Sequence, residues 1–199
     1  MLTTHQVLPE PRERALPAVS NARLGLLVFL AAETMLFAGL IGGYMVLRYG
    51  TTTWPPPGQP YLPIAITWAN TFVLLVSALT MQLAVRSVRL GRRPSALRLL
   101  VLTTALGAGF LAIQGNEWIQ LLRHGLTVAH GTYGASFLFL IGLHALHVLA
   151  AVLWLIGLTA YLLRQRFLAA ALPALDLGRI YWFFAAGLWL VLFKVVYLG

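Results

Sequence analysis

The stretch LGLLVFLAAETMLFAGLIGGYMVL, Leu24–Leu47, contains one acidic residue, Glu33, and no Lys, Arg or His in 24 consecutive positions. A helix rising 1.5 Å per residue needs about 20 mainly apolar residues to cross about 30 Å of hydrocarbon. This stretch meets that length, and four more follow it: Leu62–Val85, Leu97–Leu122, Tyr133–Leu163 and Ile180–Leu198. The connectors carry residues that break helices: Trp54-Pro55-Pro56-Pro57-Gly58, Gly91-Arg92-Arg93-Pro94, His124-Gly125 and Pro173. The fold expected from this pattern is an all-α integral membrane protein with five transmembrane helices. Composition agrees, because 60% of the 199 residues are apolar and 10% are charged. Soluble domains have roughly 45–50% and about 25%. A mean hydropathy of +0.83 also excludes an ordinary soluble enzyme, since the apolar excess must face something other than water.

Residues 1–22 contain three prolines, two glutamates and two arginines, Arg12 and Arg14, with Arg23 next, and no sustained apolar run. They lack the hydrophobic core of a cleavable signal peptide. They read as a cytoplasmic N-terminal tail before a transmembrane domain spanning 23–199. The net charge of +9 comes from thirteen arginines and Lys194 against five acids. Arg12, Arg14, Arg23, Arg86, Arg89, Arg92, Arg93, Arg98, Arg164, Arg166 and Arg179 fall in alternate connectors, leaving Arg48 and Arg123 for the other side. By the positive-inside rule the N-terminus is cytoplasmic and the C-terminus outside. The same distribution accounts for the basic balance without a nucleic-acid partner. Trp54, Trp118, Tyr133 and Tyr197 are expected near the outer interface, and Tyr161, Tyr181 and Trp182 near the inner one. Ala32, Gly39 and Gly43 share one face of the first span, a pattern suited to close helix packing.

With no cysteine, thiolate catalysis, iron–sulfur clusters and Cys-ligated zinc are excluded. Ionisable groups within hydrocarbon are costly, and each is a candidate site. Glu33 lies about 14 Å into the first span at the helical rise, close to the midplane. It reads either as a proton-linked or lipid-contacting carboxyl, or as a neutral acid bonded between helices. His144 and His147 lie at similar depth in the fourth span, on one side of it, where they could face Glu33. Two histidines fall short of a zinc ligand set. Nor can neighbours on one helix fill both axial positions of a haem, and His5, His124 and His130 lie outside the spans. Glu117, near the outer end of the third span, and Lys194, at similar depth in the fifth, are expected to form an ion pair. Trp54, Arg86, Arg92 and Arg93 are candidates for contact with lipid or a partner, because cationic residues at the cytoplasmic surface attract anionic head groups.

Gly25–Gly39 (GLLVFLAAETMLFAG), Trp54–Gly58 (WPPPG), Asn70-Thr71, Gln114–Trp118 (QGNEW), Tyr133–Phe137 (YGASF), Gly142–Val148 (GLHALHV) and Tyr181-Trp182 occur in the order seen in subunit III of the haem-copper terminal oxidases. From about residue 24 to the C-terminus the chain resembles that family, in its bacterial five-span form without the two leading helices of longer members. The resemblance implies a helix bundle split by a lipid-filled cleft between the first two spans and the last three. It implies a chain without a cofactor, docked on subunit I, which holds the haem and copper, together with subunit II in the bacterial inner membrane. It also implies support of subunit I over many turnovers and of proton uptake, and it matches Glu33 to the family's carbodiimide-reactive carboxyl. Glu117, His144 and His147 match the family's intramembrane polar positions. The sequence departs from the family at Phe183-Phe184-Ala185-Ala186, where a histidine and an aspartate usually stand. Subunit III-like proteins also accompany nitric oxide reductases, which makes such a complex the alternative; a b-haem protein or transporter is a third reading.

Overall fold

The computed structural model describes residues 20–54, 56, 62–126, 131–164 and 168–198. Most of the expected tail, residues 1–19, lies outside them, as do His130 and most of the Trp-Pro-Pro-Pro-Gly turn. The long helices are α1 (Asn21–Tyr49), α2 (Ile64–Arg89), α3 (Arg93–Arg123), α4 (Thr132–Arg164) and α5 (Leu172–Leu192). A 3-10 turn, Leu168–Ala171, precedes α5, and a π-helix, Phe193–Leu198, continues it. All five are long and apolar enough to cross a membrane, as the sequence predicts. The fifth begins eight residues before the expected Ile180, at Leu172, where Pro173 occupies the first turn and needs no backbone hydrogen-bond partner.

α2, α3, α4 and α5 pack in a ring, each against the next, with α5 closing on α2. α1 lies outside, against α4 and α5. Contacts between helix ends give an alternating arrangement. Arg93 of α3 donates from Nη2 to the carbonyls of Leu162 and Leu163 at the end of α4, both at 3.0 Å. At the same end, Arg89 of α2 holds Asp176 of α5 at 2.9 Å. At the opposite end, Arg48 of α1 donates to the Val195 carbonyl at 3.2 Å. The expected division between the first two spans and the last three is therefore absent: α2 belongs to the ring, and α1 alone is set apart.

The side chains of α2 explain this. Thr67, Asn70, Thr71, Ser77 and Thr80 are all buried. With no apolar-versus-water difference to drive helices together in lipid, close packing and interhelical hydrogen bonds take that role. Thr80 and Thr103 hydroxyls meet at 2.8 Å across α2 and α3. The indoles of Trp182 and Trp189 on α5 donate to Ser77 Oγ at 3.2 Å and Thr71 Oγ1 at 2.9 Å. Gly107 of α3 makes room for the first of these rings, since a Cβ there would overlap the Trp182 ring. Trp182, Tyr133 and Tyr197, expected near the interfaces, are buried among the helices.

α1 buries a narrow stripe, Leu30, Phe37 and Tyr44, at a seven-residue interval. Gly39 and Gly43 face away from it, and a Cβ on either would meet nothing within 4 Å. The expected close packing on that face has no counterpart among the described residues.

Candidate functional site

The stripe that holds α1 against the bundle also carries Glu33. Its Oε2 lies 2.9 Å from Nε2 of His147 on α4, with side chains 15% and 12% exposed. The approach is bent, so Oε2 has no aligned hydrogen-bond donor although it is buried. His147 is oriented from its own helix, with Nδ1 2.8 Å from the Leu143 carbonyl. Phe37 sets its ring edge-on to the imidazole, centroids 5.4 Å apart. The Tyr181 hydroxyl of α5 donates to the His147 carbonyl at 3.4 Å. Three helices thus converge on one acid–imidazole contact.

Apolar grooves flank that contact along α1. One, of about 370 Å³, is lined by Ala22, Leu26 and Phe29 of α1, Trp154 of α4, and Gly178 and Tyr181 of α5. The other, of about 290 Å³, lies between Phe37 and Ile41 of α1 and Phe184, Gly187 and Leu188 of α5.

The other sequence-predicted residues are dispersed. His144 does not join Glu33. Three residues along a helix is 300° of rotation, so the two imidazoles diverge by about 60°. That angle turns His147 to the α1 seam and His144 into the ring. There it stacks on Trp189 at 5.2 Å between centroids, 26° from parallel, and neither ring nitrogen has a partner. Glu117 is buried in α3, whereas Lys194 is exposed. The expected pair between them is not among the ion pairs of the described residues. Phe193, Val196 and Tyr197 turn inward, and Lys194 lies on the opposite side of the same segment. The inward Tyr197 instead accepts a hydrogen bond from Gln114 Nε2 at 3.0 Å, and Asn70 Nδ2 donates to the Phe110 carbonyl at 3.1 Å.

Trp54 is drawn into the fold. Its indole donates to Tyr44 Oη at 3.3 Å and its ring meets Tyr133 edge-on at 4.9 Å. Arg93 caps α4, while Arg86 and Arg92 are exposed. Sequence reasoning missed the cluster in which Asp176 accepts from Arg89 at 2.9 Å and pairs with Arg179 at 3.1 Å, with Arg179 also donating to Gln82 Oε1 at 3.0 Å. The three-residue spacing of Asp176 and Arg179 was the available signal.

The model of the family described as cytochrome c oxidase subunit III matches residues 13–199. The chain belongs to that family. Cytochrome c oxidase subunit 3 of Corynebacterium diphtheriae is 33% identical over 94% of this chain and 92% of its own length. Cytochrome bo(3) ubiquinol oxidase subunit 3 of Pseudomonas aeruginosa is 31% identical over 89% of this chain and 85% of its own. Cytochrome c oxidase subunit 3 of Pelomedusa subrufa is 30% identical over 89% of this chain and 69% of its own length.

Within this subunit III-family chain, the departure at residues 183–186 has a structural account. Ala185 and Ala186 are buried against the ring. Phe183 faces a groove beside α2, and Phe184 the groove beside α1. Apolar side chains at these positions leave no buried polar group to satisfy. Among the described residues no group of three or more His, Asp or Glu is placed to hold a metal.

Proposed function

We propose that this chain is subunit III of a bacterial haem-copper terminal oxidase, using cytochrome c or quinol, and that it acts without an active site of its own. The family match across residues 13–199 carries the reading, and relatives named as subunit 3 of both cytochrome c and quinol oxidases support it. The chain sits in the cytoplasmic (inner) membrane with its N-terminus inside and its C-terminus outside, as the arginine distribution indicates. It docks on subunit I, which carries the haem and copper, alongside subunit II. The bare Gly39–Gly43 face of α1 is suited to close approach of a helix. Phospholipid chains occupy the grooves beside α1, whose linings are apolar. Exposed Arg86 and Arg92 meet anionic head groups. Glu33 and His147 serve proton uptake by subunit I, and the chain prolongs the working life of that subunit.

Extraction of the tagged chain from its native membrane in mild detergent tests this. Recovery with a haem-copper subunit I and oxygen uptake is expected, and removing the chain should shorten the number of turnovers before inactivation more than it lowers the initial rate. Recovery with a nitric oxide reductase, or equal loss of both quantities from the first turnover, would overturn the reading.

A further inference from the structure

Polarity changes along one seam of the bundle, between α2 and α5. On α2, Leu75, Leu79, Gln82, Arg86 and Arg89 recur at alternating four- and three-residue intervals and so share one helix face. On α5 the same intervals carry Leu190, Ala186, Phe183, Arg179 and Asp176. Both stripes run from apolar to charged in the same direction, since Arg89 meets Asp176 at 2.9 Å and Arg179 Nη1 donates to Gln82 Oε1 at 3.0 Å. Between their apolar parts lies a groove of about 400 Å³.

The two ends of this groove differ. At the apolar end Trp68, seven residues before Leu75 and on the same face of α2, sets its ring edge-on to Phe193 at 4.8 Å between centroids and closes the seam. At the other end arginines outnumber acids. Asp176 is held by both Arg89 and Arg179, while the exposed Arg86 is in no ion pair of the described residues. Leu75 to Arg86 is about 16 Å at the helical rise, roughly half of a hydrocarbon core about 30 Å thick. A transmembrane partner helix would run through both halves. A groove that is apolar over the depth of one leaflet, blocked beyond it and cationic at its mouth has the polarity of a lipid.

We propose that the α2–α5 groove binds one phospholipid with an anionic head group, its acyl chain between Leu79 and Phe183 and its phosphate at Arg86 and Arg179. A guanidinium has five N–H donors. Arg179 engages Nη1 with Gln82 and Nη2 with Asp176, and each of these nitrogens keeps a second hydrogen for a phosphate oxygen. Such guanidinium–phosphate bonds are charge-assisted. Asp176, the acid at the mouth, is neutralised by its two arginines and does not repel the phosphate. The site is separate from the grooves beside α1. It rests on the topology proposed above only for its leaflet, the cytoplasmic one, and needs no particular partner complex.

Photolabelling of the complex in phosphatidylcholine vesicles tests the site. The probes are phosphatidylglycerol and phosphatidylcholine, each with a diazirine in one acyl chain, and the labelled residues are located by peptide mass spectrometry. The expected result is label on α2 and α5 within 75–82 and 183–190, several-fold stronger from the phosphatidylglycerol probe. Arg86→Gln, an exposed change, should bring the two probes to the same level in these segments, and Arg86→Lys should restore most of the difference. Equal labelling by both probes in the wild type overturns the proposal, whichever oxidase or reductase accompanies the chain. So does a preference that Arg86→Gln leaves intact, or label on α1 and α4 with none in the groove, the result expected if a protein partner covers it.

Discussion

α1 and α2 are neighbours in sequence and alike in length and apolar character, yet the bundle treats them differently. In the most apolar window of α1, 11% of residues are buried, against 44% in α2. The difference lies in hydroxyls and amides. α2 carries five buried polar side chains facing α3 and α5, and it is locked into the ring from both sides. α1 has three buried large residues, one acid–imidazole contact and one arginine at its end. In lipid, apolar character alone does not recruit a helix into a bundle; polar hydrogen bonds and close packing do.

Several substitutions would break or sharpen that contrast. The largest effect is expected on the α2 side. Trp182→Ala removes a buried ring and its bond to Ser77, and should cost about 3 kcal/mol or more, read as thermal unfolding of the purified complex. A smaller loss, about 1–3 kcal/mol, is expected for Gly107→Ala, where a methyl has to displace the Trp182 ring. An unchanged midpoint would mean that the ring has room to move. Glu33→Gln should cost only about 1 kcal/mol, but locally: hydrogen exchange should quicken in α1 and stay unchanged in α2. Equal loss of protection in both would show that α1 is not the separable element. Arg93→Ala, which uncaps α4, should cost about 0.3–1 kcal/mol. The smallest change is expected for Lys194→Met, within about 0.5 kcal/mol. It should be additive with Glu117→Gln; coupling between the two would restore the ion pair that the structure lacks.

The number of helices was legible because length and polarity along the chain determine it, and so were the bounds of the first four, whereas the fifth begins eight residues earlier than its apolar run. The meeting of Glu33 with His147 was legible in part, since depth in the membrane can be counted in residues. Azimuth was not. His144 and His147 share a depth and a side, yet 60° of rotation sends one to the seam and the other into the ring. Glu117 and Lys194 were paired by depth, but Lys194 stands on the outward face of its helix. Nor did any count of apolar residues separate α1 from α2; the signal was Thr67, Asn70, Thr71, Ser77 and Thr80, small polar residues that repeat on one face. Asp176 went unremarked because a surface acid beside an arginine looks ordinary until α2 supplies the second arginine.

The π-helix at the end of α5 also works as a register device. A π-turn accommodates one more residue than an α-turn, so everything beyond Phe193 is rotated relative to the helix before it. Two distant partners read that rotation: Gln114, which holds Tyr197, and Arg48, which holds the Val195 carbonyl. Deleting a single residue from this segment would restore α-helical phase and misdirect both at once. The last turn of the chain thus behaves as a key cut to one setting, and the far end of α1 is the lock that it fits.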